Sequence, residues 1–184
     1  FQEGIAIVVS PEGEHGYIRL DGSVLTSPQY ASATNFSNGV AWVSDFDNKW
    51  ALIERTSGKR ITEWKAYEFA QAFSDSVAII RTNGNWRITD LKGEIIPTLP
   101  LDYDQIQPFS EGYAAVLKNG QWGYINKRGE MVVKWQFNYA SDFKEGIAVV
   151  KTTSSQFRYF LKNGRFLTSV SYSFATPFVK GYAV

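Results

Sequence analysis

The stretch FSEGYAAVLKNGQWGYINKRGEMVV, residues 109–133, decides the fold. Apolar and polar residues alternate in it with a period of two, which is typical of β-strands. Between the first two apolar runs stands Asn119-Gly120, a pair that favours a tight two-residue hairpin turn. A second turn is indicated at 127–130, before a third run. The stretch therefore predicts a meander of three antiparallel β-strands.

The beginning of this stretch recurs along the whole chain. The phrase F-x-x-G-x-A begins at Phe1, Phe36, Phe109, Phe143 and Phe178, and a sixth copy at Phe73 has Ser76 in place of the glycine. Thirteen or 14 residues after each of these Phe residues except Phe178 stand His15, Trp50, Trp86, Trp122 and Phe157, which we call the tryptophan column. Several columns in one frame predict a tandem repeat.

We therefore divide the chain into repeats of similar length. They span 1–35, 36–72, 73–108, 109–142 and 143–177, and the start of a sixth spans 178–184. We predict that residues 1–184 form a single repeat array. Because the first residue is Phe1 rather than Met, we expect this array to be part of a longer protein.

The first strand of each repeat predicts how the repeats pack. In repeat four, Ala114 and Val116 share one face and Tyr113 and Leu117 share the other. A strand that is apolar on both faces is usually buried on both faces. We therefore predict an all-β protein in which about five meanders stack in an open, twisted array and share a core. A β-propeller-like ring is the alternative.

These residues resemble the bacterial WG-repeat family, also called KWG repeats. The similarity is strongest in repeat four, where Trp122-Gly123 keeps the signature dipeptide, and it extends in weaker form over the whole chain. The resemblance implies a β-rich repeat with an interaction or scaffolding role. It implies no catalytic residues.

Composition narrows the classes of partner. The formal net charge is +1 and no basic run is present, which excludes the strong positive field of a typical nucleic-acid-binding protein. No apolar stretch approaches the roughly 20 residues of a membrane span. The chain contains no cysteine, so both extracytoplasmic and cytoplasmic locations stay open.

Few residues suggest catalysis or metal binding. The sole histidine, His15, lies in the tryptophan column, which favours a core position. Asp45 and Asp47 have the spacing that opens a calcium loop, but the Gly and Glu that such a loop requires are absent. Asp102 and Asp104 flank Tyr103 at a loop entry and have no facing carboxylates. We therefore predict a non-enzymatic protein without metal or cofactor.

The repeat frame assigns structural roles to the residues that recur. These residues are Trp50, Trp86, Trp122, Phe109, Phe143, Gly112 and Gly146. For Trp122 we expect a large buried ring. Because Ser76 occupies the glycine position of one repeat, we expect that position not to require a positive φ.

Three tryptophans fall outside the repeat frame. They are Trp42 in a first strand, and Trp64 and Trp135 in third strands. Since tryptophan is enriched at interface hot spots, we predict that they mark a binding surface, with packing into gaps beside small neighbours as the alternative. That alternative is favoured most for Trp42, which lies on a doubly apolar first strand, so the binding surface rests chiefly on Trp64 and Trp135. The function predicted is a scaffold for a protein partner. The alternative is a carbohydrate- or small-ligand-binding module of the cell envelope.

Overall fold

The computed structural model describes residues 1–97, 101–152 and 156–184. Within these ranges the chain forms antiparallel β-strands joined by tight turns, and no helix is present. Two compact units divide the chain, Phe1–Leu101 and Asp102–Val184. The predicted all-β repeat of small antiparallel sheets is confirmed.

The first compact unit contains three sheets. Sheet one consists of β1 (Ile5–Val9), β2 (His15–Arg19) and β3 (Val24–Tyr30); sheet two of β4 (Ser32–Ala33), β5 (Val40–Ser44) and β6 (Trp50–Glu54); sheet three of β7 (Phe69–Ala70), β8 (Ala78–Thr82) and β9 (Asn85–Thr89).

The second compact unit contains two sheets. Sheet four consists of β10 (Gln105–Ile106), β11 (Tyr113–Lys118), β12 (Gln121–Asn126) and β13 (Met131–Phe137); sheet five consists of β14 (Tyr139–Ala140), β15 (Ile147–Lys151) and β16 (Phe157–Leu161).

Each of sheets two to five begins before the Phe that opens its repeat. The residue three positions before that Phe belongs to a short strand that pairs with the next long strand, as Ala33 does with Val43 and Ala140 with Val150. The sheet therefore crosses the repeat boundary that the sequence indicates. Within each compact unit, this crossing ties one repeat to the next through backbone hydrogen bonds, as between repeats one and two and between repeats four and five.

The F-x-x-G segment is a two-residue hairpin turn with left-handed backbone. In repeat four, Ser110 and Tyr113 exchange backbone hydrogen bonds of 2.8 and 3.1 Å across Glu111 (φ 53°) and Gly112 (φ 94°). Ser76 also has a positive φ of 65°. Our expectation that this position does not require positive φ is wrong, because both central residues of such a turn are left-handed.

The cores lie between the faces of neighbouring sheets. Every residue of β5 is buried, since one face of the strand packs toward sheet one and the other toward sheet three. The cluster between sheets four and five includes Ala115, Tyr124, Phe137, Phe143, Ala148, Val150 and Phe160. Burial of first strands on both faces is thus confirmed for β5.

The glycine of the signature dipeptide allows a close approach between strands. A Cβ atom added to Gly123 would lie 2.5 Å from the carbonyl oxygen of Val133, and one added to Gly16 would lie 2.6 Å from the backbone nitrogen of Pro28. The pairing of β12 with β13, and of β2 with β3, is irregular at this point. The third strand therefore bends over a residue without a side chain.

Candidate functional site

A row of aromatic and cationic side chains crosses the edge of sheet three. Phe69 pairs with Arg81, and Arg81 pairs with Trp86 on the next strand. The rings of Phe69 and Trp86 meet edge to face at 6.1 Å between centroids, and the Arg81 guanidinium lies 5.4 Å from the Trp86 centroid. Phe69 is 43% exposed.

Sheet five carries the same row with different residues. Tyr139 pairs with Lys151, which pairs with Phe157. The two rings again meet edge to face at 6.1 Å, and the Lys151 Nζ lies 4.9 Å from the Phe157 centroid. Tyr139 is 45% exposed. We call these two arrangements the aromatic rows.

Trp135 lies on a third exposed aromatic surface, in sheet four. Its ring contacts Tyr103 edge to face at 6.1 Å and is 36% exposed. Beside it, a hollow of about 260 Å³ is lined by Lys118, Asn119 and Gln121. The structure thus leaves Trp135 accessible to a partner.

Trp64 is less accessible. It is partly buried against the core between sheets one and two, and the Arg60 guanidinium lies 5.2 Å from its ring centroid. The two third-strand tryptophans are therefore in different surroundings, and the prediction that they bind a partner stays a prediction.

Trp42 does not mark a binding surface, because its side chain is fully buried, as the alternative of a core position on its doubly apolar strand predicts. It packs edge-on against Tyr67 and parallel to Phe73, at 5.8 and 5.9 Å between centroids. A residue opposite a small neighbour can supply the missing bulk. Trp42 is paired with Leu52 on the neighbouring strand. In sheets four and five, the position of Leu52 is held by Tyr124 and Tyr159.

The tryptophan column is less buried than expected. Trp50 is 8% exposed, whereas Trp86 and Trp122 are partly buried. The expectation of a buried Trp122 ring is therefore corrected, since this ring packs only against the margin of the core between sheets four and five. His15 is also only partly buried, so the core position predicted for it is not confirmed.

Buried tyrosines two positions after the column hold the sheets together. The Tyr124 hydroxyl donates to the carbonyl of Ser141 at 2.8 Å, and the Tyr17 hydroxyl donates to that of Thr34 at 2.6 Å. Burial raises the pKa of both phenols above the ordinary value. Each bond connects one sheet to the short strand region that begins the next.

A signal for these bonds was present in the sequence. Two repeat positions are compared: the one two residues after the tryptophan column, and the one two residues before the Phe that opens the next repeat. Where the former is Tyr, the latter is Ser or Thr, and where the former is Leu or Ile, the latter is Gln. The pairs are Tyr17 with Thr34, Tyr124 with Ser141 and Tyr159 with Thr176, against Leu52 with Gln71 and Ile88 with Gln107. The Ser141 side chain makes a separate hydrogen bond, in which its Oγ accepts the backbone N–H of Val149 at 2.9 Å.

Glutamates of the F-x-E-G turns also connect successive repeats. Both carboxylate oxygens of Glu111 accept backbone N–H groups of the following turn, from Glu145 at 2.7 Å and Gly146 at 2.9 Å. Glu3 makes the same pair of bonds to the turn of repeat two. Successive N–H groups of such a turn form a concave anion site. We call this arrangement the carboxylate clamp.

A cation of the following repeat accompanies two of the clamps. Lys162 Nζ lies 2.8 Å from Glu111 Oε2, and Arg55 Nε lies 3.9 Å from Glu3 Oε2. The hydrogen bond from Lys162 holds the pKa of Glu111 below its ordinary value, and the two backbone donors lower that pKa further. The Glu111 clamp is thus an ionised carboxylate at neutral pH.

The candidate metal and acid residues have structural partners. Asp45 Oδ1 accepts the backbone N–H groups of Asp47 and Lys49 at 3.0 and 2.8 Å, as in a polar turn. Asp104 accepts the N–H of Asn119 at 2.8 Å. In residues 1–97, 101–152 and 156–184, no three His, Asp or Glu side chains are grouped to hold a metal ion.

A hollow of about 530 Å³ in sheet one does not provide a free anion site. It is bordered by Arg19 and Arg55. Both guanidiniums already donate to backbone carbonyls, Arg19 to Thr56 at 3.2 Å and Arg55 to Glu3 at 3.1 Å. In the part of the chain that the structure describes, no helix is long and apolar enough to cross a membrane.

The family model for the WG containing repeat matches residues 16–50, 65–86, 90–122 and 122–153. The chain belongs to the WG-repeat family. The matched ranges include the Gly16 and Gly123 positions where the third strand bends over the glycine. No curated protein sequence matches the chain.

Solved structures share the fold of this WG-repeat chain at low sequence identity. The computationally designed Ika8 protein is 14% identical, with a TM-score of 0.56, over 91% of this chain and 59% of that one. BamB from Moraxella catarrhalis is 10% identical, with a TM-score of 0.50, over 91% and 58%. The WG-repeat chain therefore spans about three fifths of the length of these two structures.

Proposed function

We propose that this WG-repeat protein is a non-enzymatic scaffold that binds a protein partner through the edges of its sheets. The observation that carries the proposal is the recurrence of the aromatic row, Phe69–Arg81–Trp86 in sheet three and Tyr139–Lys151–Phe157 in sheet five. The same spatial arrangement from different residues gives two similar contact points on one chain.

The chemistry of the rows favours a protein partner. Aromatic residues and arginine are enriched in protein interfaces, where they combine apolar area with a polar group. In each row a cation lies over one face of the ring on the long strand, which we call the inner ring. The Arg81 guanidinium is 5.4 Å from the Trp86 centroid, and the Lys151 Nζ is 4.9 Å from the Phe157 centroid. A sugar ring stacks on a free aromatic face, and the cation removes one of the two faces of Trp86 and of Phe157 from such stacking.

The proposal is tested by changing the exposed outer ring of each row. We expect the double variant Phe69→Ala, Tyr139→Ala to lose a partner that the unchanged protein enriches from a lysate of its own cells, by roughly tenfold or more. Quantitative mass spectrometry of the captured proteins measures the loss. The matched control is Phe46→Ala, which removes a ring that is 65% exposed in a turn outside the rows.

A glycan array forms the second arm of the experiment. Retention of the same captured protein by the double variant would contradict the proposal. Binding of a glycan that the double variant loses and the Phe46→Ala control retains would replace the protein partner with the carbohydrate alternative.

A further inference from the structure

The strand β13 forms a free edge of sheet four. It stands last in the strand order of that sheet, and among the described residues no strand or isolated bridge pairs with its outer side. The Val133 carbonyl is directed toward β12, since a Cβ atom added to Gly123 would lie 2.5 Å from its oxygen. Because neighbouring residues of an edge strand direct their backbone groups to opposite sides, Val132 directs its N–H and C=O outward. This edge therefore offers hydrogen-bonding groups to a further strand.

Sheet one has the only comparable third strand in the described part of the chain. In sheets two, three and five, the third segment contacts its neighbour through isolated bridges. The strand β3 has seven residues, as β13 does, but it contains Pro28, which has no N–H to donate. Pro28 and Trp135 hold the same repeat position, eight residues before the next opening Phe. A proline thus interrupts the edge of sheet one, and sheet four has an indole in its place.

The side chains of β13 provide an accessible apolar surface along this edge. Trp135 is 36% exposed and Val132 is 44% exposed. The hollow of about 260 Å³ beside Trp135 has room for a side chain of an added strand. The exposure of β13 does not come from a missing neighbour, because repeat five follows it in the chain and packs against sheet four.

The charge of the edge favours a different protein over a second copy of this chain. Lys134 is exposed, and among the described residues it forms no ion pair. It is the midpoint of Met131–Phe137, so pairing two copies of β13 antiparallel along their full length would set Lys134 opposite Lys134. Like charges directly opposite each other destabilise a strand pair, whereas an acidic residue at that point would stabilise it. Lysine on an edge strand thus opposes self-association and still admits an acidic segment.

We propose that the outer edge of β13 binds an extended segment of the protein partner as an added strand. An acidic residue of the segment lies opposite Lys134, and the adjacent apolar residue lies over Trp135. Main-chain hydrogen bonds supply affinity in this mode of recognition, and the side chains fix the register. The inference rests on the proposed function, because the occupant is part of the protein partner, but it concerns a site separate from the aromatic rows.

The first test uses a fluorescein-labelled peptide of about nine residues, in which Thr and Val alternate around one central Asp-Leu pair. The whole chain is titrated into it and the fluorescence anisotropy is measured. We expect saturable binding that weakens roughly tenfold or more when Lys replaces Asp in the peptide. Absence of binding by the Asp-Leu peptide would overturn the inference.

Methylation of the peptide backbone separates strand addition from contact through side chains alone. Two versions of the Asp-Leu peptide carry N-methyl groups on alternate residues, one version on the odd positions and the other on the even positions. Because an added strand directs every second N–H to the sheet, we expect one version to bind roughly tenfold or more weakly and the other to bind nearly as the parent does. Equal binding by the two versions would contradict strand addition.

A proline at position 135 should give sheet four the interrupted edge of sheet one. We expect Trp135→Pro to weaken binding of the Asp-Leu peptide by roughly tenfold or more, because it removes both the exposed ring and a backbone donor. The matched control is Val24→Ala, which removes an apolar side chain that is 60% exposed on β3 and should leave binding unchanged. Unchanged binding by folded Trp135→Pro would place the peptide elsewhere and overturn the inference.

Reversal of the charge covers the case in which Trp135→Pro does not fold. Lys134 is exposed, so Lys134→Glu should retain the melting temperature of the unchanged protein. We expect this variant to bind the Asp-Leu peptide roughly tenfold more weakly and to prefer the Lys-Leu peptide. A preference for Asp-Leu that survives in Lys134→Glu would also contradict the inference.

These outcomes are distinguishable from those for the proposed function. If the Phe69→Ala, Tyr139→Ala variant loses its captured partner but the peptide never binds, the scaffold proposal stands and strand addition at β13 is wrong. If the peptide binds and Trp135→Pro abolishes its binding, but no captured protein depends on the rows, the rows are wrong and the edge of β13 stands.

Discussion

Sheets two and four show what one Cβ atom does to the repeat. In sheet four, Gly123 lets the third strand approach closely, and β13 runs over seven residues. In sheet two, Ala51 stands at the same position, and the third segment contacts β6 through two isolated bridges, Trp50 with Lys65 and Ile53 with Arg60. The sheet tolerates loss of the glycine by giving up the middle of its third strand.

A side chain replaces part of the lost pairing in sheet two. The backbone N–H of Leu52 donates to Thr62 Oγ1 at 2.9 Å, whereas the corresponding Tyr124 pairs with Val133 of β13. A buried N–H without an acceptor is costly, so the degenerate repeat needs such a substitute. The signature glycine is therefore a packing requirement of the complete third strand.

Among the variants that test this difference between sheets two and four, we expect the largest loss of stability for Gly123→Ala. The added methyl group would meet the Val133 carbonyl oxygen at 2.5 Å. Because the obstacle is backbone, we expect a loss of about 2–3 kcal/mol in the free energy of unfolding, measured by urea denaturation. The reciprocal Ala51→Gly should cost only about 1 kcal/mol, the loss for an added glycine within a strand. Equal costs for the two variants would contradict the role of the close approach.

The next effect concerns the hydroxyl that sheet four has and sheet two lacks. Tyr124→Phe removes the donor to the Ser141 carbonyl and leaves that acceptor buried. We expect a loss of about 1–2 kcal/mol, observed as a fall in the melting temperature of roughly 2–8 °C. Tyr159→Phe is the control and should cost less, since its hydrogen bond to Thr176 is longer, at 3.2 Å. An unchanged melting temperature for Tyr124→Phe would show that the bond does not stabilise the fold.

A substitution in the F-x-x-G turn of repeat three is expected to stabilise the chain, in contrast to the variants above. Ser76 has a φ of 65° where Gly112 has 94°. Because left-handed backbone costs a residue with a side chain about 1 kcal/mol, Ser76→Gly should stabilise the chain by up to that amount. Gly112→Ser should destabilise it by a similar amount. Thermal unfolding of both variants tests this, and a destabilised Ser76→Gly would mean that the Ser76 side chain contributes more than its backbone strain costs.

The smallest effect is the pH dependence of the carboxylate clamp. The folded-state pKa of Glu111 is lowered, chiefly by Lys162, so the clamp contributes stability above the unfolded pKa of about 4.5. This contribution is lost as the pH falls through the lower folded pKa. Since the carboxylate is partly exposed, solvent limits the effect to less than about 1 kcal/mol.

Glu111→Gln tests the clamp through a pH series of melting temperatures. The difference between the variant and the unchanged protein should be present at pH 7 and shrink on acidification below pH 4.5. Lys162→Met removes the cation and should raise the Glu111 pKa toward its ordinary value. A difference that is constant from pH 7 to pH 3 would argue against an ionised clamp.

Most of the fold could be predicted from the sequence because it depends on local properties. Asn119-Gly120 and Asn83-Gly84 adopt the left-handed turn that their residue types favour, with φ of 49° and 76°, and 50° and 73°. Period-two alternation marked the long strands. In contrast, the serine at position 76 led to the wrong expectation that this turn position does not require a positive φ. The surrounding structure can hold a residue with a side chain in a strained conformation, so residue type alone does not report the backbone angle.

The candidate site was less predictable because side-chain accessibility depends on neighbours distant in sequence. Trp42 and Trp135 both fall outside the repeat frame, yet the first is fully buried and the second is 36% exposed. The difference comes from the two strands, since β5 is buried along its whole length between two sheets, whereas most of β13 is exposed or half-buried. The place of Trp42 on a first strand that is apolar on both faces favours a core position from the sequence alone, whereas no such pattern indicates how much of Trp135 is exposed.

The sequence by itself determined the repeat length, the strands, the turns and membership of the WG-repeat family, because these follow from residue types at fixed spacing. Only the tertiary structure decided which aromatic rings are core and which form the aromatic rows. It also showed the approach of Val133 to Gly123 and the hollow beside Trp135. The physical reason is that packing depends on the summed volume of residues from several strands, whereas strand and turn formation depend on residues close together in the chain.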